Sequence, residues 1–249
     1  MLEMKNVSFS FSSEQPILQN VSITVQEGEF VSILGPSGSG KSTIFHLIGG
    51  KYQPSVGSIR LKEESVIGKK GHISYMPQQP ALLPWRTVRE NILLGAELSK
   101  SKESIPIKDL LRKAGLETYE SAFPHELSGG MKQRVAFLRC IASPKALMCL
   151  DEPFSALDEL TRLTMQKWLL HMWEANRRSV LFITHSIEEA LLLSDKIYVL
   201  STKPATVIKE LSVPFSRPRT EALLLTEELL KWKKDLYDLL RGEELISNL

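Results

Sequence analysis

Long apolar runs and an excess of either charge are both missing from this sequence. None of the 249 residues belongs to a run of 18 consecutive apolar side chains, so no segment has the pattern of a membrane-spanning helix. Basic side chains number 31 and acidic ones 29, and the formal charge of +2 gives no reason to expect nucleic acid as a partner. Hydrophobic residues make up 43% and charged residues 24%, which is typical of a folded globular protein and excludes a disordered chain.

Cysteine is scarce, with only Cys140 and Cys149. Cys149 lies in the apolar run 146–150, so a buried and reduced thiol is expected, as in a cytosolic protein. The first five residues lack a basic stretch followed by an apolar one, and we expect no secretory signal there. No repeat with a period of roughly 20–50 residues occurs, which excludes a solenoid or a propeller.

Strand-like and helix-like patterns alternate along the chain. Residues 21–25 alternate between apolar and polar, and residues 30–34 are mostly apolar, as in a strand buried on both faces. Helical spacing dominates from 87 to 115, which indicates an inserted helical subdomain. This alternation predicts an α/β fold with a mainly parallel sheet and right-handed crossovers. After these segments, the predicted order is strand 146–150, helix 159–175, strand 179–183, helix 187–193 and strand 196–200.

A glycine-rich segment follows the predicted strand at 30–34. Residues 35–42 are Gly-Pro-Ser-Gly-Ser-Gly-Lys-Ser, which fits the pattern G-x-x-x-x-G-K-[ST], and a helical pattern comes next. Glycines let backbone N–H groups turn toward phosphate oxygens, Lys41 can reach the β- and γ-phosphates, and the Ser42 hydroxyl can hold Mg²⁺. A chance match in a linker would lack the flanking strand and helix. The residues expected to contact the nucleotide phosphates are Gly35, Pro36, Ser37, Gly38, Ser39, Gly40, Lys41, Ser42 and Thr43.

Two adjacent acidic residues, Asp151 and Glu152, follow the apolar run 146–150. Ligands of α/β folds bind at the carboxyl ends of the strands, so Asp151 can coordinate Mg²⁺ while Glu152 polarises an attacking water. Neighbouring carboxylates repel each other, and a metal ion with bound phosphates would favour one as ligand and the other as proton acceptor. The alternative is that Asp151 only caps the next turn.

A third motif lies at residues 127–134, which are Leu-Ser-Gly-Gly-Met-Lys-Gln-Arg. Ser128 and Gly129 begin a predicted helix, where a hydroxyl and free N–H groups can bind a phosphate. In isolation, the same residues would be a plain N-cap serine with a glycine pair. Together with the two motifs above, they resemble the nucleotide-binding subunit of ATP-binding cassette (ABC) transporters. The resemblance covers nearly all of the chain from residue 2 to about 215, with six motifs in the family's order.

This resemblance implies a fold and a dimer. The implied fold is a P-loop NTPase core with a mainly parallel sheet, an N-terminal antiparallel β subdomain and an inserted helical subdomain. Two ATP molecules with Mg²⁺ are implied between two copies of the chain, because in the family the P-loop of one subunit faces the signature helix of the other. In this sequence the signature positions are Ser128, Gly129 and Gly130.

The resemblance also assigns catalytic side chains. Gln78 matches the family glutamine that contacts Mg²⁺ and the lytic water, with the adjacent Gln79 as its competitor. His185, which ends a predicted strand, matches the histidine that contacts the γ-phosphate and holds Glu152 and the water in place. Residues 155–158, Ser-Ala-Leu-Asp, match the loop that touches the opposite subunit. The implied catalytic residues are Lys41, Gln78, Glu152 and His185, and the implied metal ligands are Ser42, Gln78 and Asp151.

An aromatic residue is implied at the adenine base. Phe11 matches the family position, where many relatives carry tyrosine; phenylalanine keeps the π face and loses only the hydroxyl. Phe9, two residues earlier, is the alternative.

The sequence also resembles one group of importers, those for nitrate, sulfonates and taurine, whose relatives also import pyrimidine precursors. The resemblance lies in residues 80–91, in Lys203-Pro204 and in residues 215–219. The apolar segment Leu82–Trp85 is either core or a groove for a short helix of a membrane partner. Implied partners are a second copy, integral membrane permease subunits at Gln78–Trp85 and an extracytoplasmic solute-binding protein, with the chain peripheral on the cytoplasmic face of the plasma membrane. The alternatives are an exporter ATPase and a soluble ABC ATPase of iron–sulfur assembly.

Domain organisation follows from the same patterns. We expect a nucleotide-binding domain at 1–215, with its helical insert at about 79–142, and a C-terminal helical tail at 216–249. Within the tail, the spacing of apolar residues predicts an amphipathic helix over 221–241 that packs on the body or on a partner. These apolar residues stand at positions 225, 229, 232, 236, 239 and 240.

Overall fold

The computed structural model describes residues 1–12, 15–99, 105–155 and 157–247. The strands are β1 (Leu2–Ser10), β2 (Pro16–Val25), β3 (Phe30–Leu34), β4 (Val56–Leu61), β5 (Glu64–Ser65), β6 (Ser74–Met76), β7 (Leu147–Asp151), β8 (Ser179–Thr184), β9 (Lys196–Leu200) and β10 (Val207–Ser212). The helices are α1 (Lys41–Ile48), α2 (Val88–Leu98), α3 (Ile107–Lys113), α4 (Gly129–Ala142), α5 (Glu159–Asn176), α6 (Ile187–Leu193) and α7 (Glu227–Ser247). Short 3₁₀ turns occur at Glu117–Tyr119, Pro124–Glu126 and Glu221–Leu225.

The chain divides into two compact units. The first unit combines Met1–Ile73 with the chain from Arg177 onward, and the second consists of Ser74–Asn176. The predicted domain boundaries at 79, 142 and 215 remain a prediction.

The first unit contains an antiparallel sheet and a mostly parallel group of strands. The antiparallel sheet has the order β2-β1-β4-β5, and the other strands have the order β10-β9-β3-β8. Strand β3 runs parallel to both β8 and β9, and all five of its residues are buried, as its apolar sequence predicts. The predicted α/β class, with a mainly parallel sheet and an N-terminal antiparallel part, is confirmed.

The C-terminal segment packs on the first unit through one apolar cluster. Leu229 and Leu236 of α7 are buried and lie seven residues apart, which places them on one helix face. That face packs against α6 and β9, so the tail is an amphipathic helix on the body, as predicted. It differs from the prediction at its start, because residues 221–225 form a 3₁₀ turn and the α-helix begins at Glu227.

The second unit contains one parallel strand pair, β6 with β7, and helices α2 to α5. Thr87 and Glu90 form a capping box at the start of α2, which satisfies two backbone N–H groups. Within α2, the buried Asn91 side chain accepts from the N–H of Leu83 at 2.8 Å and donates to the carbonyls of Leu83 and Arg86 at 3.1 and 2.9 Å. The Asn91 amide therefore holds the backbone of the segment from Leu83 to Thr87 at several points.

The structure also tests the predictions made for the cysteines and for individual strands. Both cysteines are free and buried, as expected, and burial raises the pKa of the Cys149 thiol well above its ordinary value. The strand predicted at 146–150 lies at Leu147–Asp151, so Asp151 is its last residue. Strand β10 had no predicted counterpart. Within the described ranges, no helix is both long and apolar enough to cross a bilayer.

Candidate functional site

The glycine-rich segment joins β3 to α1 in the first unit. Gly38 and Gly40 have φ of +76° and +105°, in the left-handed region that other residues adopt only with strain. A Cβ on Gly40 would also lie 2.8 Å from Cγ2 of Ile17. Glycine is required there both by backbone angle and by the close approach of β2.

Polar groups and a helix end surround this loop. The Lys41 ammonium donates to the carbonyls of Gly35 and Pro36 at 2.8 and 2.7 Å, so the charge is held against the loop. Ser39 is 2% exposed, and its Oγ has no hydrogen-bond partner among the described residues. The N-cap of α1, Gly40, provides no side-chain acceptor, and the first turn of α1 carries no acidic residue. The positive helix end is therefore not neutralised locally, which suits an anion such as phosphate.

Three aromatic rings lie together at the end of β1. Phe9 is buried, whereas Phe11 is 58% exposed, so the ring of Phe11 has surface available for a ligand. Their centroids are 5.0 Å apart in an edge-to-face arrangement, and Tyr52 meets Phe11 edge-on at 5.4 Å. Sequence reasoning missed Tyr52. Its only signal was an aromatic residue shortly after α1, which does not indicate a neighbour on β1.

In the second unit, Asp151 ends strand β7 and is buried. The hydroxyl of Tyr75, on the neighbouring strand β6, donates to Asp151 Oδ2 at 3.2 Å. Burial, followed by the charge of Asp151, raises the pKa of Tyr75, so the phenol remains a donor to this carboxylate at neutral pH. Sequence reasoning missed this role of Tyr75.

Glu152 occupies a strained backbone position. Its φ is +43°, a left-handed value that costs a non-glycine residue free energy and is typical of functional sites. Gln78 Nε2 donates to Glu152 Oε2 at 3.2 Å, and Ser155 Oγ donates to the Glu152 carbonyl at 3.0 Å. The structure thus brings Gln78, rather than Gln79, to the carboxylate by a described hydrogen bond. Of the loop at 155–158, Ala156 lies outside the described residues.

The signature motif forms the start of α4. Ser128 is the N-cap, and its Oγ accepts from the N–H of Met131 at 3.3 Å, which leaves the hydroxyl proton free to point elsewhere. Ser128 and Gly129 are exposed. A Cβ on Gly129 would meet nothing within 4 Å, whereas one on Gly130 would lie 3.1 Å from Cγ2 of Thr161. The helix start therefore presents an open surface at Ser128 and Gly129.

His185 lies in the first unit, directly after β8, and is exposed. The flanking Thr184 accepts from the N–H of Ser186 at 2.9 Å and donates to the buried carboxylate of Glu189. Sequence reasoning missed this pair. An acidic residue early in a helix usually indicates only a favourable interaction with the helix dipole, so Glu189 carried no separate signal.

The units divide the predicted side chains between them. The first unit contains the glycine-rich loop, Phe11 and His185, and the second contains Gln78, Asp151, Glu152 and the signature helix. Among the described residues, no group of three or more His, Cys, Asp or Glu side chains could bind a metal by itself. Magnesium does not need such a group, because it is commonly held by one or two carboxylates together with phosphates and water. Oxygen donors on Ser42, Gln78 and Asp151 are of the type it prefers.

Comparison with known proteins points the same way. The family model described as ABC transporter matches residues 18–155, more than half of the chain. A formylaminopyrimidine import ATP-binding protein of Halalkalibacterium halodurans is 42% identical over 250 residues, which cover 98% of each chain. A nitrate import ATP-binding protein of Synechocystis sp. is 37% identical, covering 91% of this chain and 89% of that one. A solved dimeric structure of an ATP-binding cassette in a post-hydrolysis state, bound to ADP and Pi, matches with a TM-score of 0.72 and 30% identity over 87% of this chain and 100% of that chain.

The match to the formylaminopyrimidine import protein covers 98% of this chain and so extends over both units. These likenesses agree with a phosphate-binding loop after a buried strand and with an acidic pair at the end of another. The protein therefore belongs to the ABC transporter family, and it is an ATPase of the ATP-binding cassette type.

Proposed function

We propose that this chain is the ATP-hydrolysing subunit of an ABC importer. ATP binding and hydrolysis in a dimer of cassettes would drive uptake of a small solute of the nitrate, sulfonate, taurine or pyrimidine-precursor kind. The names of the relatives support import and the solute class, since they are import proteins for formylaminopyrimidine and nitrate. The observation that carries the catalytic part is the strained Glu152 with its carboxylate bonded to Gln78.

In the proposed site, the first unit binds the nucleotide. Backbone N–H groups of the loop 35–43 surround the phosphates, and Lys41 neutralises the β- and γ-phosphate charge. Lys41 donates to the carbonyls of Gly35 and Pro36, and a phosphate oxygen can outcompete these carbonyls because its bond with the ammonium is between opposite charges. Phe11 stacks on the adenine ring, which its exposure supports.

The side chains that carry out hydrolysis in this proposal follow the ends of strands. Glu152 accepts a proton from the water that attacks the γ-phosphate, Gln78 orients Glu152 and that water, and His185 contacts the γ-phosphate. Magnesium, when bound with ATP, would be held by Ser42, Gln78 and Asp151, and it would neutralise charge on the phosphates. Tyr75 keeps Asp151 in position through its hydroxyl.

A second copy of the chain completes each site in this proposal. Ser128, Gly129 and Gly130 of one copy contact the γ-phosphate held by the other. The free hydroxyl proton of Ser128 and the open surface at Gly129 support this role. The solved cassette structure bound to ADP and Pi is dimeric, which supports a second copy.

The membrane partner is assigned to the Gln78–Trp85 segment. Trp85 is 71% exposed, so the possibility that this segment is simply core does not hold for its aromatic residue. Arg139 donates to the carbonyls of Pro80 and Ala81 at 2.8 and 2.9 Å, and Asn91 holds the segment after it. A fixed backbone with an exposed tryptophan is a good receptor for a short helix of a permease. The chain would then lie on the cytoplasmic face of the membrane, in a complex with an extracytoplasmic solute-binding protein.

Recovery from membranes tests this proposal. The tagged chain, purified from mild detergent extracts, should bring down an integral membrane subunit, and Trp85→Ala should lose that subunit while still binding ATP. Recovery of soluble partners alone would contradict a transport role and favour an assembly factor. Cells lacking the chain should lose uptake of labelled nitrate, taurine, an aliphatic sulfonate or formylaminopyrimidine; faster accumulation instead would indicate export.

A further inference from the structure

The C-terminal segment, defined here as residues 215–242, contacts both ends of helix α6. That helix begins two residues after His185. The contacts at each end are specific and polar, in addition to the apolar packing between them.

Arg219 holds the last turn of α6. Its side chain is 6% exposed, and Nη1 donates to the carbonyls of Leu191 and Ser194 at 3.0 and 2.5 Å. Nε and Nη2 of the same guanidinium donate to the carbonyl of Phe215 at 3.0 and 2.8 Å. A cation at the carboxyl end of a helix complements the helix dipole and satisfies carbonyls that have no partner within the helix. Arg219 therefore ties the start of the C-terminal segment to the end of α6.

Helix α7 holds the first turn of α6. Lys233 forms an ion pair with Glu188, which lies three residues after His185. Between the two ends, Ala190 and Leu191 of α6 pack in the same buried cluster as Leu229 and Leu236 of α7. These contacts leave α6 little freedom to rotate or slide, because a close-packed interior has few voids into which its side chains could move.

A short hydrogen-bonded network links α6 to the histidine. Glu189 of α6 is 6% exposed, and its carboxylate accepts from the Thr184 hydroxyl, on the residue immediately before His185. Ser186, immediately after it, donates its N–H to Thr184 Oγ1 at 2.9 Å and accepts from the N–H of Glu189 at 3.3 Å. Both neighbours of His185 are thus fixed by the first turn of α6.

We propose that the C-terminal segment is a positioning element for His185, with Arg219 and α7 setting the placement of α6 and the Thr184–Glu189 pair transmitting it to the histidine. This inference rests on the proposed role of His185 at the γ-phosphate. Arg219 acts through α6 and does not itself touch the nucleotide. A displacement of about 1 Å at a catalytic group is enough to lower a rate by one to two orders of magnitude.

The main variant is Arg219→Met, which keeps an unbranched, flexible side chain and removes the guanidinium with its donors. We expect kcat for ATP hydrolysis to fall about tenfold, with the nucleotide Kd unchanged, because the described hydrogen bonds of Arg219 go to Phe215 and to the end of α6 and not to the phosphate-binding loop. The kcat of Arg219→Lys should lie between those of the parent protein and Arg219→Met, since one ammonium cannot reach both Phe215 and the helix carbonyls. The control is Ile59→Ala, which removes a buried side chain of β4 in the antiparallel sheet and should lower Tm while kcat stays the same.

Two variants at exposed positions test the same idea in case Arg219→Met does not fold. Lys233→Glu places two negative charges together at an exposed site, so the fold should persist while kcat falls about twofold. Adding Glu188→Lys restores opposite charges and should restore kcat. A kcat that follows Tm alike in the Arg219, Lys233 and Ile59 variants would overturn the proposal, because it would show that only stability matters.

The imidazole signal separates this inference from the proposed function. In NMR spectra, the His185 signal is assigned by its loss in His185→Ala, and it should shift in Arg219→Met and Lys233→Glu but not in Ile59→Ala. An unshifted signal in both tail variants would refute the positioning role, whatever the activity. If the signal shifts while His185→Ala retains full kcat, positioning stands and the catalytic role of His185 fails.

Discussion

The loop after β3 and the loop after β7 follow similar strands but act through different groups, backbone N–H groups in the first and a side chain in the second. Each follows a five-residue strand whose residues are all buried, and each carries groups assigned to the ATP site. The first presents backbone N–H groups and contains glycines with positive φ, at Gly38 and Gly40. The second also needs a positive φ, at Glu152, but it keeps a side chain there because that side chain is the reactive group. Glycine adopts the positive φ of the first loop with little strain, whereas Glu152 keeps its side chain in the second loop at the cost of backbone strain.

The sharpest way to break this comparison is Glu152→Gln. The amide keeps the shape and the bond to Gln78 but cannot accept the proton of the attacking water. We expect hydrolysis to fall about a hundredfold or more, while ATP-driven dimerisation persists. Phosphate release gives the rate, and size-exclusion chromatography with ATP gives the dimer. Rapid turnover by this variant would show that Glu152 is not the base.

Lys41→Ala tests the binding loop in the same way. Removing the ammonium should weaken ATP binding about tenfold to a hundredfold, as expected for a charge-assisted contact with phosphate. Titration with a fluorescent ATP analogue measures the Kd. Lys41→Arg is the control that keeps the charge, and it should retain part of the affinity. An unchanged Kd in the alanine variant would contradict the assignment of the loop.

Backbone requirements within the first loop are separable. Gly40→Ala combines a φ of +105° with a Cβ only 2.8 Å from Ile17, whereas Gly38→Ala has a similar angle and open space around it. We expect Gly40→Ala to lower the free energy of unfolding by about 1–3 kcal/mol and Gly38→Ala by less. Urea unfolding of both variants measures the difference. Equal losses would mean that the approach of β2 is unimportant.

The smallest change in stability is expected for Glu152→Gly, and this variant tests directly whether the positive φ is strained. Glu152→Gly removes the reactive group and the strain together, so hydrolysis should be lost while stability stays within about 1 kcal/mol of the parent or rises above it. Urea unfolding measures this, with Ser155→Gly as a control at an ordinary backbone angle. A clear loss of stability in Glu152→Gly would show that the positive φ stores no strain.

Local sequence patterns were sufficient for the fold class and for the motifs. Buried strands such as β3 are apolar throughout, and the glycine-rich loop, the signature helix and the acidic pair have fixed spacings that do not depend on distant residues. Strand β10 escaped prediction because its side chains are half-buried or exposed, which leaves a weak pattern. Tyr52 and Glu189 escaped because their roles depend on contacts with β1 and with Thr184 that no local pattern records. The individual roles of the site residues stay predictions until the variants are measured.

Asn91 gives the exposed tryptophan a mechanical property. A loop that must pass a push or a pull to another molecule is useful only if it does not bend first. The amide of Asn91 closes four hydrogen bonds onto the backbone of residues 83–87, and Asn91 itself belongs to α2. Force applied at Trp85 would therefore load the whole helix instead of being absorbed by the loop. In the proposed complex, this buried side chain contributes, together with Arg139, to the stiffness of the coupling to the membrane subunit.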